Sequence, residues 1–477
     1  MTKNRSSFLL VMAVVLVLLA TPLLWPVSPW LVRALALAIL GLLTVVQWRK
    51  GNGLVLSSAL FILPNLILVF YSIAGAVMVE TLGGAAPIDD PMVYATEYAR
   101  RAQATDILVV MNVVLAYGSA VELIVVQFAL CLLAASTVIA GLPGVAANTP
   151  PLPRKTEILA LLGMIAVVLA THRLIKGGDA PAGEVGKQLA FLLLPLAAFA
   201  IAQAARWWAA GLPGGALLLA GVTLVSWVEF IGDGIKPLAL VLPSCLILVS
   251  CQRLRTLRQG LWLLMAVAIL CMASVALIGF QRGNYGINNP VEGAFRSLRS
   301  KVALRQAETM FCLTSAANAA SLASMEGRNP PDPGYLFGIL VPRQIWPDKP
   351  DYSQGGAYAV DYCLFPPQDL ARSHHSASIT LLGEPLLHGG KPMLLVFGAV
   401  VVAGLAGLAL AARRGPPALA TSILAMTGWM VDFDQHSTLY LGNAVKVALC
   451  LIGPALLFHW LSARTARSSD PGPAPGS

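Results

Sequence analysis

The sequence predicts an all-α polytopic membrane protein, and two properties of its composition support that class. Of the 477 residues, 57% are hydrophobic and only 12% are charged, and the mean hydropathy is +0.75. An ordinary soluble domain has about 25% charged residues, which keep it dissolved although about half of its surface is apolar. The composition therefore excludes a soluble enzyme, a disordered protein and a fibrous protein.

Apolar stretches that could cross a bilayer occur along most of the chain. A membrane-spanning helix needs about 20 mostly apolar residues, and twelve runs approach or exceed that length. They cover about 8–25, 30–47, 54–79, 107–141, 157–175, 189–205, 214–231, 237–252, 260–280, 392–412, 418–434 and 442–461. No convincing small-residue cleavage site follows the first run, so we interpret it as a retained span and not as a signal peptide.

The positions of lysine and arginine predict which side of the membrane each connection faces. In bacterial inner-membrane proteins these residues concentrate in the short cytoplasmic segments. With the N-terminus inside, the inside segments hold 14 basic residues and the short outside connections hold 6. Since the number of spans is even, both termini are predicted to be cytoplasmic. The net charge of +9 reflects this distribution, and we expect no binding to nucleic acid.

One outside connection, between spans nine and ten, is much longer than the others. Residues 281–391 form a loop of 111 residues, predicted to be periplasmic, that holds 10 of the 32 lysines and arginines. Long loops escape the positive-inside rule, and a loop of this length in a compact protein is usually functional. The chain thus divides into spans one to nine (1–280), the large loop (281–391), spans ten to twelve (392–461) and a Pro/Gly-rich, disordered cytoplasmic tail (462–477).

The first part of the large loop predicts an amphipathic helix. In residues 291–325 an apolar stripe is edged on one side by Arg296 and Arg299. An apolar stripe flanked by cations is typical of a helix that lies in the membrane interface. Its cations face either ordinary anionic lipid or a lipid-linked phosphate, and the sequence alone leaves both alternatives open.

The next part, residues 329–350, is interrupted by six prolines and cannot form a regular helix. We predict a rigid loop that fixes Arg343 and Lys349 beside Trp346. The guanidinium group of arginine is a planar fork for phosphate oxygens, whereas lysine supplies a point charge. A neighbouring aromatic ring suits the face of a sugar or the membrane interface.

The histidines and cysteines of the loop suggest no metal site. His374, His375 and His388 lack zinc-ligand spacing with any nearby cysteine or acidic pair, so we predict no metal. Cys312 and Cys363 are the two cysteines of the loop, and whether they form a disulfide in the periplasm is left open by the sequence. In the spans, the carboxyl group of Glu122 near the middle of run four has no partner that the sequence identifies.

Residues 334–350, GYLFGILVPRQIWPDKP, resemble the periplasmic-loop signature of bacterial oligosaccharide repeat-unit polymerases, the Wzy-type or O-antigen polymerase family. The family's PR-x-x-WP-x-KP string corresponds here to Pro342, Arg343, Trp346, Pro347, Lys349 and Pro350. A second family mark, Gly-Glu followed by Asn and Gly before the next span, is matched by Gly383, Glu384 and Gly390, with His388 at the usual Asn position. The resemblance covers about a quarter of the chain.

The resemblance implies a glycosyltransferase that needs neither metal nor cofactor. Such an enzyme joins undecaprenyl-diphosphate-linked oligosaccharide repeat units at the outer leaflet of the bacterial inner membrane, for O-antigen, capsule or exopolysaccharide. Besides the bilayer and this substrate, it implies a flippase and a chain-length regulator of the same pathway as partners. Cations must then hold the leaving diphosphate, and a base must take the proton of the acceptor hydroxyl. We therefore expect the substrate to be bound by Arg343, Arg282, Arg296, Arg299, Lys349 and Trp346, with His375 or Glu384 as the catalytic base.

Two other functions compete with the polymerase. The loop is also similar to that of O-antigen ligases, where a His-Asn pair precedes a Leu and then a Glu; His375, Ser376 and Glu384 have a similar spacing. A transporter or flippase with twelve spans is the second alternative. Transporters are usually built from paired halves with a binding site near the middle of the membrane, and we find no such halves in the sequence.

Overall fold

The computed structural model is helical wherever it describes regular secondary structure. It describes residues 2–69, 107–142, 152–177, 184–230, 238–250 and 378–468. In the predicted loop and the span before it, it describes residues 259, 265, 269, 309, 312–317, 319–320, 323, 334–338, 341, 345–346, 348 and 355–363. The all-α class is confirmed for these residues, since none of them is in a strand.

The helices follow the apolar runs of the sequence. In chain order they are α1 (Thr2–Leu24), α2 (Pro29–Arg49), α3 (Gly53–Leu56), α4 (Ala59–Val69), α5 (Ile107–Gly141), α6 (Lys155–Gly177), α7 (Glu184–Ala209), α8 (Gly215–Phe230), α9 (Leu238–Ser250), α10 (Gly334–Gly338), α11 (Gly355–Cys363), α12 (Thr380–Leu387), α13 (Gly390–Arg414), α14 (Pro417–Met430) and α15 (Ser437–Ser468). Eleven of the twelve apolar runs coincide at least in part with a helix, and the run 260–280 lies almost entirely outside the described residues.

Six of these helices are long and apolar enough to cross a membrane. They are α2, the Val121–Gly141 part of α5, the Lys155–Lys176 part of α6, the Phe191–Ala209 part of α7, α13, and the Ser437–Ala463 part of α15. Shorter apolar helices occur at Val11–Leu24, α4 and α8. The protein is therefore a helical, membrane-embedded protein, and the total of twelve spans stays a prediction.

Helix α7 is the centre of the bundle formed by the middle and last helices. Its residues 197–205, AAFAIAQAA, are all buried, although a helix at a lipid surface would expose one face. Helices α6, α8, α9, α14 and α15 all pack against it. The short alanine side chains allow these neighbours to approach closely, as is typical of helix packing inside membranes.

Polar contacts show which helix ends share a side of the bundle. At the end of α13, the Arg413 guanidinium donates to the backbone carbonyl of Ile139 and, over 2.9 Å, to that of Leu142, at the end of α5. Nearby, Asn52 Nδ2 donates to the carbonyl of Ala140 over 3.2 Å. The connections after α2 and α5 therefore lie with the α13–α14 turn, on what we call the Arg413 side. The alternation of spans in the sequence predicts the same grouping.

A buried ion pair explains Glu122. The Arg33 Nε and Nη2 atoms each donate over 2.5 Å to one carboxylate oxygen of Glu122, and both side chains are 7% exposed. The guanidinium carbon also lies 4.6 Å from the ring centroid of Trp30 and 5.8 Å from that of Trp25. Loss of one partner of a buried pair typically costs about 3–5 kcal/mol because the other charge stays buried. The pair thus ties α2 to α5 inside the bundle.

A second ionic contact joins α6 to α8. His172 Nδ1 lies 3.0 Å from Glu229 Oε1, and Arg173 Nε donates to Glu229 Oε2 over 2.9 Å. Both contacts lie at the ends of α6 and α8 that the alternation of spans places away from the Arg413 side. The described contacts therefore agree with one alternating path through the membrane, whose orientation stays a prediction.

The orientation can be tested by accessibility to a membrane-impermeant thiol reagent. We expect the reagent to label Ala357→Cys on α11 in intact cells but to label Arg414→Cys only after the membrane is opened. Both positions are exposed in the structure, so burial does not confound the comparison. The host protein keeps Cys312 and Cys363 and has its other cysteines replaced. The opposite labelling pattern would invert the topology and contradict every function that acts on the outer leaflet.

Candidate functional site

The carboxylate of Glu384 forms the centre of a buried polar cluster. It lies on the short helix α12, at the end of the predicted large loop, and the residue is 1% exposed. Gly383 precedes it at a position where a Cβ atom would lie 2.7 Å from the Cβ of Ile379, a distance that side chains do not tolerate. The Gly-Glu pair singled out in the sequence thus has a packing reason for its glycine and places its carboxylate inside the protein.

Four donors from two other elements converge on this carboxylate. Tyr358 Oη donates to Oε1 over 2.8 Å, from α11. Ser437 Oγ donates to Oε2 over 2.7 Å, at the start of α15. Thr438 donates twice, from its backbone N–H to Oε2 over 2.8 Å and from its hydroxyl to Oε1 over 3.0 Å. Since an ionised carboxylate offers about four lone-pair positions, these bonds leave Glu384 without a free one.

The connection between α14 and α15, residues 431–436, packs against the same cluster. The backbone N–H of Leu381 on α12 donates to the carbonyl of Phe433 over 3.3 Å. Thr309 Oγ1 donates to Asp434 Oδ1 over 3.2 Å. Segments of the predicted large loop are therefore fixed to the membrane helices at this end, which we call the Glu384 side.

His436 lies in this connection, and no sequence motif marks it as a candidate site residue. It is 5% exposed, and its Nε2 atom has no hydrogen-bond partner in the part of the chain that the structure describes. Its ring lies edge-on to that of Tyr358, with the centroids 5.7 Å apart. Burial lowers the pKa of His436, although the negative charge of Glu384 opposes that shift. The imidazole is therefore neutral at neutral pH, and it retains a nitrogen with a lone pair.

The pKa of Tyr358 shifts in the opposite direction to that of His436. Burial and the adjacent negative charge of Glu384 raise the pKa of Tyr358 far above its usual value of about 10. The phenol is thus kept protonated and serves as a hydrogen-bond donor. It holds Glu384 from α11, a helix that is itself fixed by a disulfide.

That disulfide joins Cys312 to Cys363, with an S–S distance of 2.02 Å and a Cα–Cα distance of 4.8 Å. The sequence left this pairing open, and the structure forms it. It connects helical residues 312–317 to the end of α11, and both cysteines are fully buried. A disulfide here is consistent with an oxidising compartment on the Glu384 side.

The start of the first matched segment, residues 334–350, lies at this cluster beside the second mark, whereas most of its PR-x-x-WP-x-KP string lies outside the described residues. The first mark begins with α10, where Tyr335 Oη lies 3.3 Å from Ser437 Oγ. The second mark contains Glu384 and His388, and the His388 ring stacks on the Tyr335 ring with centroids 4.2 Å apart. Segments that are about 50 residues apart in the sequence therefore share the contacts of one site.

The remaining predicted site residues are not brought together by the described part of the chain. Trp346 is 39% exposed and next to Ile345, which is 74% exposed, so its ring is accessible to a ligand or a membrane interface. Six of the predicted site residues lie outside the described part of the chain: His375, Arg343, Arg282, Arg296, Arg299 and Lys349. Their roles stay predictions. Within the described residues, no group of three or more His, Cys, Asp or Glu could hold a metal ion.

Comparison with protein-family models, with characterised proteins and with solved structures finds no match to this chain. Assignment of a function therefore depends on the chain's own residues. The described cluster offers a saturated carboxylate, a protonated phenol and a neutral imidazole at one end of the helical bundle. Such a set can position a polar substrate and accept a proton from it.

Proposed function

We propose that the protein is a polysaccharide polymerase of the bacterial inner membrane. It transfers a growing glycan from its undecaprenyl diphosphate to the next lipid-linked repeat unit at the outer leaflet, for O-antigen, capsule or exopolysaccharide. The observation that carries this proposal is that Tyr335, at the start of the first matched segment, stacks on His388 of the second mark, and that Ser437 contacts both Tyr335 and Glu384. If the chain crosses the membrane twelve times and both termini are cytoplasmic, the Glu384 side faces the periplasm. The lipid-linked substrate resides on that side.

The leaving group defines the task of the cations. A lipid diphosphate carries several negative charges, and preorganised cations stabilise the charge that develops on it as its bond to the sugar breaks. We assign this role first to Arg343, whose guanidinium group can bind two phosphate oxygens at once. Lys349, Arg282, Arg296 and Arg299 supply further positive charge, and the exposed Trp346 ring suits the apolar face of a sugar.

The charges inside the bundle favour a transferase over a transporter. A transporter of this size usually has polar groups near the middle of the membrane that bind its cargo. In the described helices, two acidic groups instead bond to basic groups of the protein itself, Glu122 to Arg33 and Glu229 to Arg173, and Glu157 accepts a hydrogen bond from Ser462.

A gene deletion separates the three candidate functions by the glycan that accumulates. For a polymerase, we expect single repeat units on undecaprenyl diphosphate at the periplasmic face, and no long surface chains. For a ligase, long chains would accumulate on the lipid carrier. For a flippase, single units would accumulate at the cytoplasmic face, protected from a glycosidase added to spheroplasts. Either of the last two results, or unchanged surface polysaccharide, would contradict the proposed polymerase.

A further inference from the structure

The Nε2 atom of His436 is a buried polar atom to which the described part of the chain offers no hydrogen-bond partner. A buried histidine nitrogen without a hydrogen bond costs about 1–3 kcal/mol, and nearly all buried polar groups in native proteins are paired. His436 is 5% exposed, and no described residue bonds to its Nε2 atom. A buried group left unpaired needs an explanation, and a catalytic role is one of the explanations that such groups have in native proteins.

The ring is held in place from several directions. The two residues that follow it, Ser437 and Thr438, are bonded to Glu384 through three of the four hydrogen bonds of that carboxylate. The carbonyl of His436 accepts the backbone N–H of Tyr440 over 3.0 Å, and the Tyr358 ring packs edge-on against the imidazole. The backbone that follows His436 is therefore fixed, and the Tyr358 ring restricts the orientation of the imidazole.

Glu384 is a poorer base than His436 in this arrangement. Its carboxylate already accepts four hydrogen bonds, so it would have to release a donor before it could take a proton. The imidazole nitrogen needs no such rearrangement. A neutral histidine is also the side chain that most often serves as a general base near neutral pH.

We infer that His436 is the general base of the transfer and that Glu384 and Tyr358 are positioning residues. This inference rests on the proposed polymerase function. The hydroxyl oxygen of the acceptor sugar forms a bond to the anomeric carbon of the donor, while the bond from that carbon to the diphosphate oxygen breaks. The electron pair of the broken bond stays on the lipid diphosphate. The proton of the hydroxyl passes to Nε2 of His436 and leaves to water after the products separate.

The charged and titratable groups around His436 determine its pH response. Glu384 on α12 favours the protonated imidazole, and burial disfavours it more strongly. Tyr358 on α11 stays neutral across the physiological range. Among the described residues, the surrounding elements also carry the titratable groups Asp361, Tyr362, Asp432, Asp434, Tyr335, His388 and Tyr440. Because the base must be neutral, we expect the rate to fall as the pH drops below the lowered pKa of His436.

The test measures polymer formation in membranes of the deletion strain, which hold its own accumulated lipid-linked repeat units as the substrate. The wild-type protein, His436→Gln, or His459→Gln as the matched control is purified at full length and reconstituted into these membranes. His459 is exposed and lies towards the far end of α15, the helix that follows His436. We expect His436→Gln to lower kcat by about 10²–10⁴-fold with little change in KM, and to lose the acid limb of the pH profile. The control should behave as wild type.

Different results would overturn the inference and the proposed function. If the deletion strain does not accumulate single repeat units, the polymerase proposal fails whatever His436→Gln does. If it does accumulate them and His436→Gln retains a kcat within about twofold of wild type, or keeps its acid limb, His436 is not the base. Should the variant not fold, the wild-type profile decides, because a rate that shows no fall at acid pH, down to the pH at which the protein itself unfolds, excludes a histidine base that must be neutral.

Discussion

Replacement of Arg343 by alanine is expected to lower the polymerisation rate by about 10²–10³-fold, which corresponds to roughly 3–4 kcal/mol of lost transition-state stabilisation. The physical reason is the charge that develops on the leaving diphosphate, which a preorganised guanidinium group stabilises without reorganisation. Arg343→Lys should restore little of the rate, because an ammonium group cannot form two parallel hydrogen bonds to phosphate oxygens. The measurement is the length distribution of surface polysaccharide at matched protein level in the membrane.

A structural role for Arg343 makes a different prediction. If the arginine only braces the proline-rich loop through a carboxylate such as that of Asp348, Arg343→Lys would keep much of the activity and Asp348→Asn would be as damaging as Arg343→Ala. The Asp348 side chain is exposed, so an ion pair there would contribute only about 0–1 kcal/mol. Arg372→Ala is the matched control, since it removes a loop arginine outside the proline-rich stretch. Near-normal chain length in Arg343→Lys would exclude the two-oxygen contact with phosphate.

The sequence predicts the positions of several described helices closely, because hydropathy depends on neighbouring residues. The run 392–412 becomes α13, Gly390–Arg414, and the run 30–47 becomes α2, Pro29–Arg49. The run 418–434 is too long, because α14 ends at Met430 and the chain then turns. In that turn Asp432 accepts a hydrogen bond from Gln435, and Asp434 accepts one from Thr309. Polar residues at the end of an apolar run therefore form a connection that hydropathy alone assigns to the helix.

The site is less predictable, because its contacts join residues far apart in the sequence. Glu384 is a candidate on the resemblance alone, yet its partners are 26 residues away at Tyr358 and 53 residues away at Ser437. His436 is in a short connection and belongs to no motif, so no local pattern identifies it. The one available signal is the predicted topology, which places that connection on the same side as the large loop. Glu122 is similar, since its partner Arg33 is 89 residues away.

Replacement of Glu384 by alanine is expected to lower the free energy of unfolding by about 3–5 kcal/mol. The change leaves the backbone N–H of Thr438 and the hydroxyls of Tyr358 and Ser437 inside the protein without their acceptor, and each buried, unpaired donor costs about 1–3 kcal/mol. The measurement is unfolding of the purified protein in detergent. Asp361→Ala is the control, because it removes an exposed carboxylate of α11 and should change stability by about 0.5 kcal/mol or less.

Glu384→Gln separates the positioning role of Glu384 from a role as the base. The amide oxygen can take the place of Oε2, which accepts the N–H of Thr438, and the amide nitrogen then faces the hydroxyls of Tyr358 and Thr438. Since hydroxyls can rotate to accept a hydrogen bond, we expect a smaller loss of about 1–2 kcal/mol and a folded protein with substantial activity. If Glu384 itself takes the proton, the same variant would be folded yet lose about 10²–10⁴ in rate. That result would return the base to Glu384 and leave His436 without a catalytic role.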